Sequence, residues 1–357
     1  MAQSIPDPVV LDAILALSLK SQGVARPNPW VGAAVVCDKE IVSLGATEGP
    51  GDRHAEVVAL DLAASRAKGS TMYVTLEPCA HFGKTPPCAE RIAKEGVKEV
   101  VVGTLDPDPK VSGRGVSYLI DAGVSVKVIS NNHKVVHGLR QYIKQRSVGE
   151  PWVVLKLAMT LDGKVAAKDG SSKWITGSEA RRDVHNLRAN SDVIVVGANT
   201  VRVDDPSLTA RDAAGVAYSR QPKRVVLGTI PEGAKVLPAK SVTGSFKDLL
   251  LDLGREDVIQ VLVEGGPKVA YDLHSKGLVD EYVFYIAPML GLSGSKDAFN
   301  GGAAVSIDEF WRSSFETVDR LDGDLRVSLL HGKAKDLLDN HASWSHSLAQ
   351  ELGVEIV

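Results

Sequence analysis

Residues 72–88 read MYVTLEPCAHFGKTPPC. The segment opens with a short run rich in β-branched and aromatic residues, which favours a strand, and Pro78 ends that run. Two cysteines follow, Cys79 and Cys88, with eight residues between them. Side chains at the end of a buried strand are well placed for chemistry, so this segment predicts both an α/β layer and a candidate site.

The sequence on either side of this segment alternates β-rich runs with stretches of helical periodicity. The predicted strands span 31–37, 41–44, 72–76, 97–102 and 124–129, and the predicted helices span 8–19, 54–67, 89–95 and 116–121. Val100, Val101 and Val102 are consecutive apolar residues, a pattern typical of a parallel strand covered on both faces. We therefore expect one α/β domain with helices on both sides of a largely parallel sheet.

A polar segment at 144–151 interrupts the pattern, with Gly149 and Pro151 as breakers. The alternation then restarts, with predicted strands at 152–159, 193–197, 224–227, 259–263 and 282–287 and predicted helices at 178–188 and 267–276. The sequence thus predicts two α/β domains, residues 1–147 and residues 148–357. The tail from about residue 332 is polar, carries no motif and is compatible with a helix.

The composition is that of a globular protein and excludes several other classes. Of 357 residues, 44% are hydrophobic and 24% charged, which excludes disorder, collagen and coiled coil. A net charge of −3 argues against a nucleic-acid binder. Three cysteines do not make a disulfide scaffold. Because no uncharged apolar stretch approaches 20 residues and no secretory start is visible, we expect a cytoplasmic protein that is not inserted in a membrane.

One histidine and the two cysteines form a candidate metal set. His54 and the Cys79–Cys88 segment both stand at predicted helix starts, and one imidazole with two thiolates suits a catalytic zinc with a free fourth position. Glu56, two residues after His54, is then the candidate that moves protons between attacking water and leaving amine. Two alternatives stay open: His54 is a satisfied core histidine and Glu56 a solvated helix-start carboxylate, or His81 is a fourth ligand that closes the site.

These residues resemble a known family. His54-Ala55-Glu56, the long Cys79–Cys88 spacing, PNPWVG at 27–32 and DPDPKV at 106–111 resemble the deaminase domain of bifunctional riboflavin-biosynthesis enzymes, whose fold is cytidine-deaminase-like. The resemblance implies that Asn28 binds the pyrimidine and Lys84 the substrate phosphate. Two positions depart from many relatives, which have a histidine at Thr47 and an asparagine at Asp108.

The second half resembles the reductase domain of the same enzymes, which has a dihydrofolate-reductase-like α/β fold. The motifs are LKLA at 155–158, LDGK at 161–164, SKWITG at 172–177, HNLRA at 185–189, VGANTV at 196–201 and DDPSLTAR at 204–211. The resemblance implies two sets of binding residues. The NADPH contacts are Ala158, Trp174, Thr200, Asp204 and Gly266; the substrate contacts are Ser172, Arg188, Leu208, Arg211 and Glu264. Asp204 is the candidate that orients or protonates the sugar.

Residues 261–267, VLVEGGP, form a predicted strand that delivers a double glycine to a helix start. Missing side chains let backbone N–H groups approach a pyrophosphate there, although an isolated Gly-Gly is more often a tight turn. Between Leu237 and Phe246 the sequence lacks a segment, about one strand long, that relatives carry. We therefore expect an intact reductase cleft with less surrounding structure to support it.

Together these observations predict a bifunctional enzyme with one zinc per chain and NADPH as cofactors. It would remove the 2-amino group of 2,5-diamino-6-(5-phosphoribosylamino)pyrimidin-4-one by hydrolysis and then reduce the ribosyl chain to ribityl. Its partner is this phosphorylated pyrimidine rather than nucleic acid or membrane, and relatives imply a homo-oligomer. The alternative is a zinc deaminase whose second domain has lost reduction. A nucleic-acid editor shares the zinc chemistry but fits neither the charge nor the cysteine spacing.

Overall fold

A computed structural model describes residues 7–83, 85–129 and 132–357. The strands, numbered along the chain, are β1 (Gly32–Cys37), β2 (Glu40–Ala46), β3 (Thr71–Val74), β4 (Glu99–Val102), β5 (Ser125–Val128), β6 (Trp152–Thr160), β7 (Lys164–Ala166), β8 (Val193–Gly197), β9 (Lys223–Leu227), β10 (Lys240–Val242), β11 (Gln260–Val263), β12 (Glu281–Ala287), β13 (Lys296–Asp297), β14 (Phe315–Leu321), β15 (Asp324–Leu330) and β16 (Glu355–Ile356). The helices are α1 (Asp7–Ala25), α2 (Ala55–Ala63), α3 (Cys88–Lys94), α4 (Arg114–Asp121), α5 (His133–Gly138), α6 (Arg140–Val148), α7 (Ser178–Ala189), α8 (Ala198–Asp204), α9 (Phe246–Arg255), α10 (Pro267–Ser275) and α11 (Gly332–Glu351).

The chain forms two compact units, and the first is not continuous in sequence. Unit 1 combines Met1–Val148 with Asp336–Val357, and unit 2 is Gly149–Lys335. The sequence prediction of a second domain at 148–357 is therefore wrong for the tail. The physical reason lies in α11, whose buried residues Leu338, Ala342 and Ala349 recur at helical spacing and supply an apolar stripe to unit 1. The polar segment at 144–151 is also helical as far as Val148.

Unit 1 is built on a six-stranded sheet in the order β16-β5-β4-β3-β1-β2. Strands β3, β4, β5 and β16 are parallel, and β1 runs antiparallel to both of its neighbours. Val10 and Ile14 of α1 pack against Ala34 and Val101 of the sheet. Since the carboxyl ends of parallel strands share one edge, the loops after β3 and β4 lie next to each other.

Helix α1 is the one described helix whose length and composition would allow a membrane span. The window Pro8–Ala25 has a mean hydropathy of 1.3, and a third of it is buried. One such helix is weak evidence for a span. In unit 1 its apolar residues Val10, Ile14 and Ala25 are fully buried in the protein core.

Unit 2 contains an eight-stranded sheet in the order β10-β9-β8-β11-β6-β12-β15-β14. Its first six strands are parallel, and β15 and β14 are antiparallel additions at one edge. Buried residues of β6, β8 and β11 pack against Leu250 and Leu253 of α9 and Leu273 of α10. The segment between Leu237 and Phe246 still supplies a short strand, β10, at the other edge.

Candidate active sites

The metal set predicted in unit 1 converges in space. His54 is the extended residue that caps α2, Cys88 is the first residue of α3, and Cys79 lies in the loop after β3. His54 Nδ1 is 3.7 Å from Cys79 Sγ and 3.3 Å from Cys88 Sγ. Two helix starts and a strand end thus bring three ligand atoms within 4.8 Å of one another.

The geometry of this donor set fits zinc. Tetrahedral bonds of about 2.0 Å to nitrogen and 2.3 Å to sulfur place the two ligand atoms about 3.5 Å apart, close to the separations of 3.3 and 3.7 Å in the structure. Within the described ranges, His54, Cys79 and Cys88 are the one histidine, cysteine or acidic cluster with metal-binding geometry. His81 is exposed and outside it, so three protein ligands leave a fourth position open.

Glu56 points at the same cluster from the first turn of α2. Its side chain is 4% exposed and contacts the Cys88 thiol. Burial raises the pKa of Glu56 to about 7, although the neighbouring His54 opposes the shift. A carboxyl group with a pKa near neutrality can both accept and return a proton at physiological pH.

The thiols are also strongly perturbed. Hydrogen bonds from Cys88 and His54 lower the pKa of Cys79 well below its ordinary value, and the bond to Cys79 together with burial raises the pKa of Cys88. The interaction with Cys79 raises the pKa of His54 to about 8. These opposed shifts arise because the three groups lie close enough to share protons, and a divalent cation would replace those protons.

Glu77, which sequence analysis did not single out, organises the neighbouring loop. Its buried carboxylate accepts hydrogen bonds from the backbone N–H groups of Asp106 (3.2 Å), Gly113 (3.0 Å), Gly115 (2.9 Å) and Val116 (3.2 Å). Burial raises the pKa of Glu77 although these four donors oppose the shift. Because Glu77 stands two residues before Cys79, it ties the segment that carries a metal ligand to the loop at 104–113.

In unit 2 the predicted substrate residues form a largely buried ionic cluster. Arg188 on α7 makes two hydrogen bonds to Glu264 at the end of β11, of 2.6 and 2.9 Å, and a third to the Thr209 carbonyl at 3.2 Å. Lys156 Nζ lies 3.8 Å from the same carboxylate. Burial alone would raise the pKa of Glu264, but Arg188 and Lys156 lower it to about 2. Glu264 is therefore ionised throughout the working range of an enzyme.

Two of the predicted cofactor residues meet at the carboxyl ends of neighbouring strands. The double glycine Gly265-Gly266 leads from β11 into α10, and a Cβ placed on Gly266 would lie 3.2 Å from Thr200 Oγ1 on α8. A Cβ on Gly265 would lie 2.7 Å from the Val269 side chain. A Cβ at Gly265 would clash with Val269, and one at Gly266 would crowd Thr200. The double glycine therefore lets backbone N–H groups at a helix start approach a phosphate, which fits the cradle that NADPH needs.

The segment after α8 carries an unusual backbone. Asp205 and Leu208 both have positive φ angles, 41° and 49°, a conformation that non-glycine residues rarely adopt and that clusters at functional sites. The Asp204 carbonyl accepts a 3.3 Å hydrogen bond from Lys173, which connects this segment with the predicted motif at 172–177. Arg211 donates to Thr209 Oγ1 at 3.1 Å. Residues 204–211 thus contact Lys173 of the 172–177 motif at one end and Arg188 through the Thr209 carbonyl.

Comparison with known proteins identifies both units. Residues 10–104 match the family described as "Cytidine and deoxycytidylate deaminase zinc-binding region", and residues 151–319 match "RibD C-terminal domain". The riboflavin biosynthesis protein RibD of Aquifex aeolicus is 38% identical over 343 residues, which cover 88% of this chain and 95% of that protein. This chain belongs to the RibD family.

Solved structures of RibD proteins agree with the fold as well. Acinetobacter baumannii RibD, form 1, matches with a TM-score of 0.83 at 36% identity, over 91% of this chain and 98% of that one. A Thermotoga maritima diaminohydroxyphosphoribosylaminopyrimidine deaminase/5-amino-6-(5-phosphoribosylamino)uracil reductase matches with a TM-score of 0.79 at 32% identity, over 90% of this chain and 97% of that one. As in RibD, the chain joins a zinc-binding deaminase domain to a reductase domain whose family uses NADPH, and it is a bifunctional enzyme of riboflavin biosynthesis. The predicted fold class, function and cofactors are confirmed.

The structure connects some of the predicted RibD site residues and leaves others as predictions. Half-buried Asn28 lies in the turn after α1, and its backbone N–H donates to the Ala25 carbonyl. Lys84 lies outside the described residues. Trp174 is 68% exposed, with the Arg181 guanidinium 4.7 Å from its ring centre. Ala158 and Ser172 are half-buried, and their contacts with ligands stay predictions.

Thr47, one of the two positions that depart from relatives, has a structural task. It is buried, and its hydroxyl accepts a 3.0 Å hydrogen bond from the Val31 N–H. At the other position, Asp108 Oδ2 is 3.6 Å from Arg146 Nε. Both side chains therefore interact with other residues of unit 1.

Lys156 is the residue of the Arg188–Glu264 cluster that sequence analysis did not single out. It occupies the middle of β6, largely buried, with its Nζ 5.7 Å from the Tyr285 ring centre. Burial lowers the pKa of its ammonium group, although Glu264 opposes the shift. The available signal was a single charged residue inside an otherwise apolar strand, since lysine is rarely buried without a partner.

Proposed function

We propose that unit 1 hydrolytically deaminates 2,5-diamino-6-(5-phosphoribosylamino)pyrimidin-4-one and that unit 2 reduces the ribosyl chain of the product. The deamination assignment rests on one observation: a buried carboxyl group, Glu56, faces three convergent zinc ligands. Zinc, when held by His54, Cys79 and Cys88, supplies a Lewis acid that makes water nucleophilic near pH 7.

In this proposal Glu56 moves the protons. Its carboxylate takes a proton from water as the oxygen attacks C2 of the pyrimidinone and passes it to the departing 2-amino group, so that ammonia leaves and a carbonyl remains. Asn28 holds the pyrimidine edge and Lys84 the phosphate. The burial of Glu56 keeps competing bulk water away from this transfer.

For reduction, the Arg188–Glu264–Lys156 cluster beside residues 204–211 supports a pocket for a polar, phosphorylated sugar. NADPH, when bound, supplies the hydride that reaches the first carbon of the sugar. Ala158, Trp174, Thr200 and Gly266 would hold that cofactor. Asp204 orients the sugar or donates a proton to its oxygen, while Lys156 and Glu264 fix the sugar hydroxyls.

Ser172, Leu208 and Arg211 complete the substrate contacts in this proposal. The positive φ of the buried Leu208 supports this assignment, because strained backbone at non-glycine residues clusters at functional sites. Arg211 supplies a planar fork suited to a phosphate.

Zinc analysis and two separate assays test the proposal. The purified protein should hold one zinc per chain, His81→Ala should retain it, and Cys88→Ala should lose it. NADPH oxidation with the pre-formed deaminated pyrimidine tests unit 2 alone. A protein that deaminates but neither binds NADPH nor oxidises it would leave the alternative of a deaminase with a reductase-like domain.

We also propose a homo-oligomer that acts in the cytoplasm on small molecules, without a nucleic-acid or membrane partner. Strand β14 ends its sheet with Phe315 70% and Val318 55% exposed, and apolar edge strands favour pairing with a second copy. Reduced zinc thiols and NADPH favour a reducing compartment. Light scattering on Val318→Lys, which should shift the mass toward one chain, tests the oligomer.

A further inference from the structure

The C-terminal tail of the chain, residues 336–357, packs on unit 1 rather than on the unit that precedes it. Ser345 Oγ accepts a 2.9 Å hydrogen bond from the Leu105 N–H, and His341 Nε2 lies 3.1 Å from Thr104 Oγ1. All four groups are buried. After α11, β16 extends the sheet beside β5. The tail is therefore an integral layer of the deaminase unit.

The tail reaches both ends of one loop. Thr104 and Leu105 begin the loop at 104–113, and they receive His341 and Ser345. At the other end of the loop, a Cβ on Gly113 would lie 3.1 Å from the Leu352 side chain and 3.6 Å from that of Leu348. The loop is thus held between the tail on one side and the Glu77 carboxylate on the other.

The same loop leads directly to the metal-binding segment. Glu77 bonds the N–H groups of Asp106 and Gly113, its own N–H donates to the Thr104 carbonyl at 3.0 Å, and Cys79 follows two residues later. A Cβ on Gly115 would lie 1.9 Å from the Pro78 carbonyl, so α4 touches the residue next to Cys79. A displacement of the loop would therefore move the backbone that holds a zinc ligand.

We propose that the C-terminal tail is a positioning element of the deaminase site, and that Ser345 and His341 fix the loop at 104–113 against the Glu77-Pro78-Cys79 segment. The proposal rests on the proposed deaminase function of unit 1. The matched family region ends at residue 319, so the tail lies outside the part of the chain by which the reductase domain is defined. Ser345 and His341 act through the loop and do not touch the reacting atoms.

The experiment compares Ser345→Ala with Ser347→Ala. Ser347 lies two residues along the same helix, is exposed, and its hydroxyl donates to the Ser343 carbonyl of its own helix. Ser345→Ala leaves the buried Leu105 N–H without an acceptor, which we expect to speed hydrogen exchange in 104–116 and zinc release to a chromogenic chelator by about tenfold. Deaminase kcat/KM should fall by a similar factor, while NADPH reduction of the deaminated substrate stays unchanged. Ser345→Thr, which keeps the hydroxyl, should restore all three quantities.

A truncation after Lys335 removes the whole tail and should increase hydrogen exchange and zinc release further. If the truncated chain does not fold, Ser345→Ala, which removes one hydrogen bond, still tests the proposal. Wild-type exchange, zinc release and deamination in Ser345→Ala would overturn the proposal. If the intact protein does not deaminate, the proposed function fails, but hydrogen exchange and zinc release still decide whether the tail positions the loop.

Discussion

Glu77→Gln should destabilise unit 1 strongly while leaving unit 2 unchanged. One carboxylate accepts four backbone N–H groups at 2.9–3.2 Å, two on each oxygen. Glutamine keeps one acceptor oxygen, and its amide NH₂ group then faces two backbone donors. Each buried donor left without an acceptor costs about 1–3 kcal/mol, so the free energy of unfolding of unit 1 should fall by about 4 kcal/mol.

Differential scanning calorimetry measures this effect. In a unit of this size, 1 kcal/mol corresponds to about 2–4 °C in Tm, so the unit 1 transition should move down by about 10 °C. Because the chain has two units, the calorimetric curve is fitted with two unfolding transitions. The transition that moves when zinc is removed belongs to unit 1. Glu48→Gln, which removes an exposed ion pair with Arg53, is the matched control and should leave both transitions in place.

A unit 1 transition within 2 °C of wild type in Glu77→Gln would refute the reasoning, because it would mean that the four hydrogen bonds contribute little. If both transitions instead moved down together in Glu77→Gln, the two units would unfold as one. The first result would also weaken the argument that Glu77 links the loop at 104–113 to the metal-binding segment.

Four further predictions concern single residues. Glu56→Gln should keep zinc yet abolish deamination, because an amide cannot accept and return the proton, and reduction of pre-formed deaminated substrate should stay normal in the NADPH assay. Burial lowers the pKa of His341 to about 4. The neutral imidazole therefore makes its full contribution to stability above pH 6.5, and this contribution, about 3 kcal/mol, is lost as the pH falls towards 4. Calorimetry of His341→Gln should show a stability that depends less on pH. Glu264→Gln leaves Arg188 as an unpaired buried charge, and urea unfolding of unit 2 should show a loss of about 3–5 kcal/mol together with lost reduction; wild-type stability would contradict the importance of this pair. Asp204→Ala should cut reductase turnover strongly in the NADPH oxidation assay and leave deamination unchanged, and unchanged turnover would exclude its proposed role.

The sequence was sufficient where the decisive residues lie close together along the chain. His54 and Glu56 are separated by one residue, and the Cys79–Cys88 segment directly follows a strand, so strand and helix ends alone predict their meeting. Thr200 and Gly266 follow neighbouring parallel strands in the same way. In each case the residues that follow parallel strands lie at the same edge of the sheet, so local patterns are enough to predict that they meet.

The sequence was insufficient where a partner is remote or small. Lys156 and Glu264 are over a hundred residues apart, and nothing local shows that one charge will neutralise the other. The tail buries mainly alanine, serine and histidine, whose weak apolar signal does not reveal which unit they cover. Besides the short apolar stripe of α11, its placement involves hydrogen bonds to Thr104 and Leu105, which no periodicity encodes.

The split composition of unit 1 has a consequence for how the enzyme is made. A ribosome delivers residues 7–148 before unit 2, yet the strand that covers the outer edge of β5 emerges only after all of unit 2. Until then β5 presents unpaired backbone groups, which are prone to intermolecular pairing. The deaminase half therefore matures only after unit 2 has been synthesised, and a chain that stops before residue 336 would contain unit 2 attached to an unfinished deaminase.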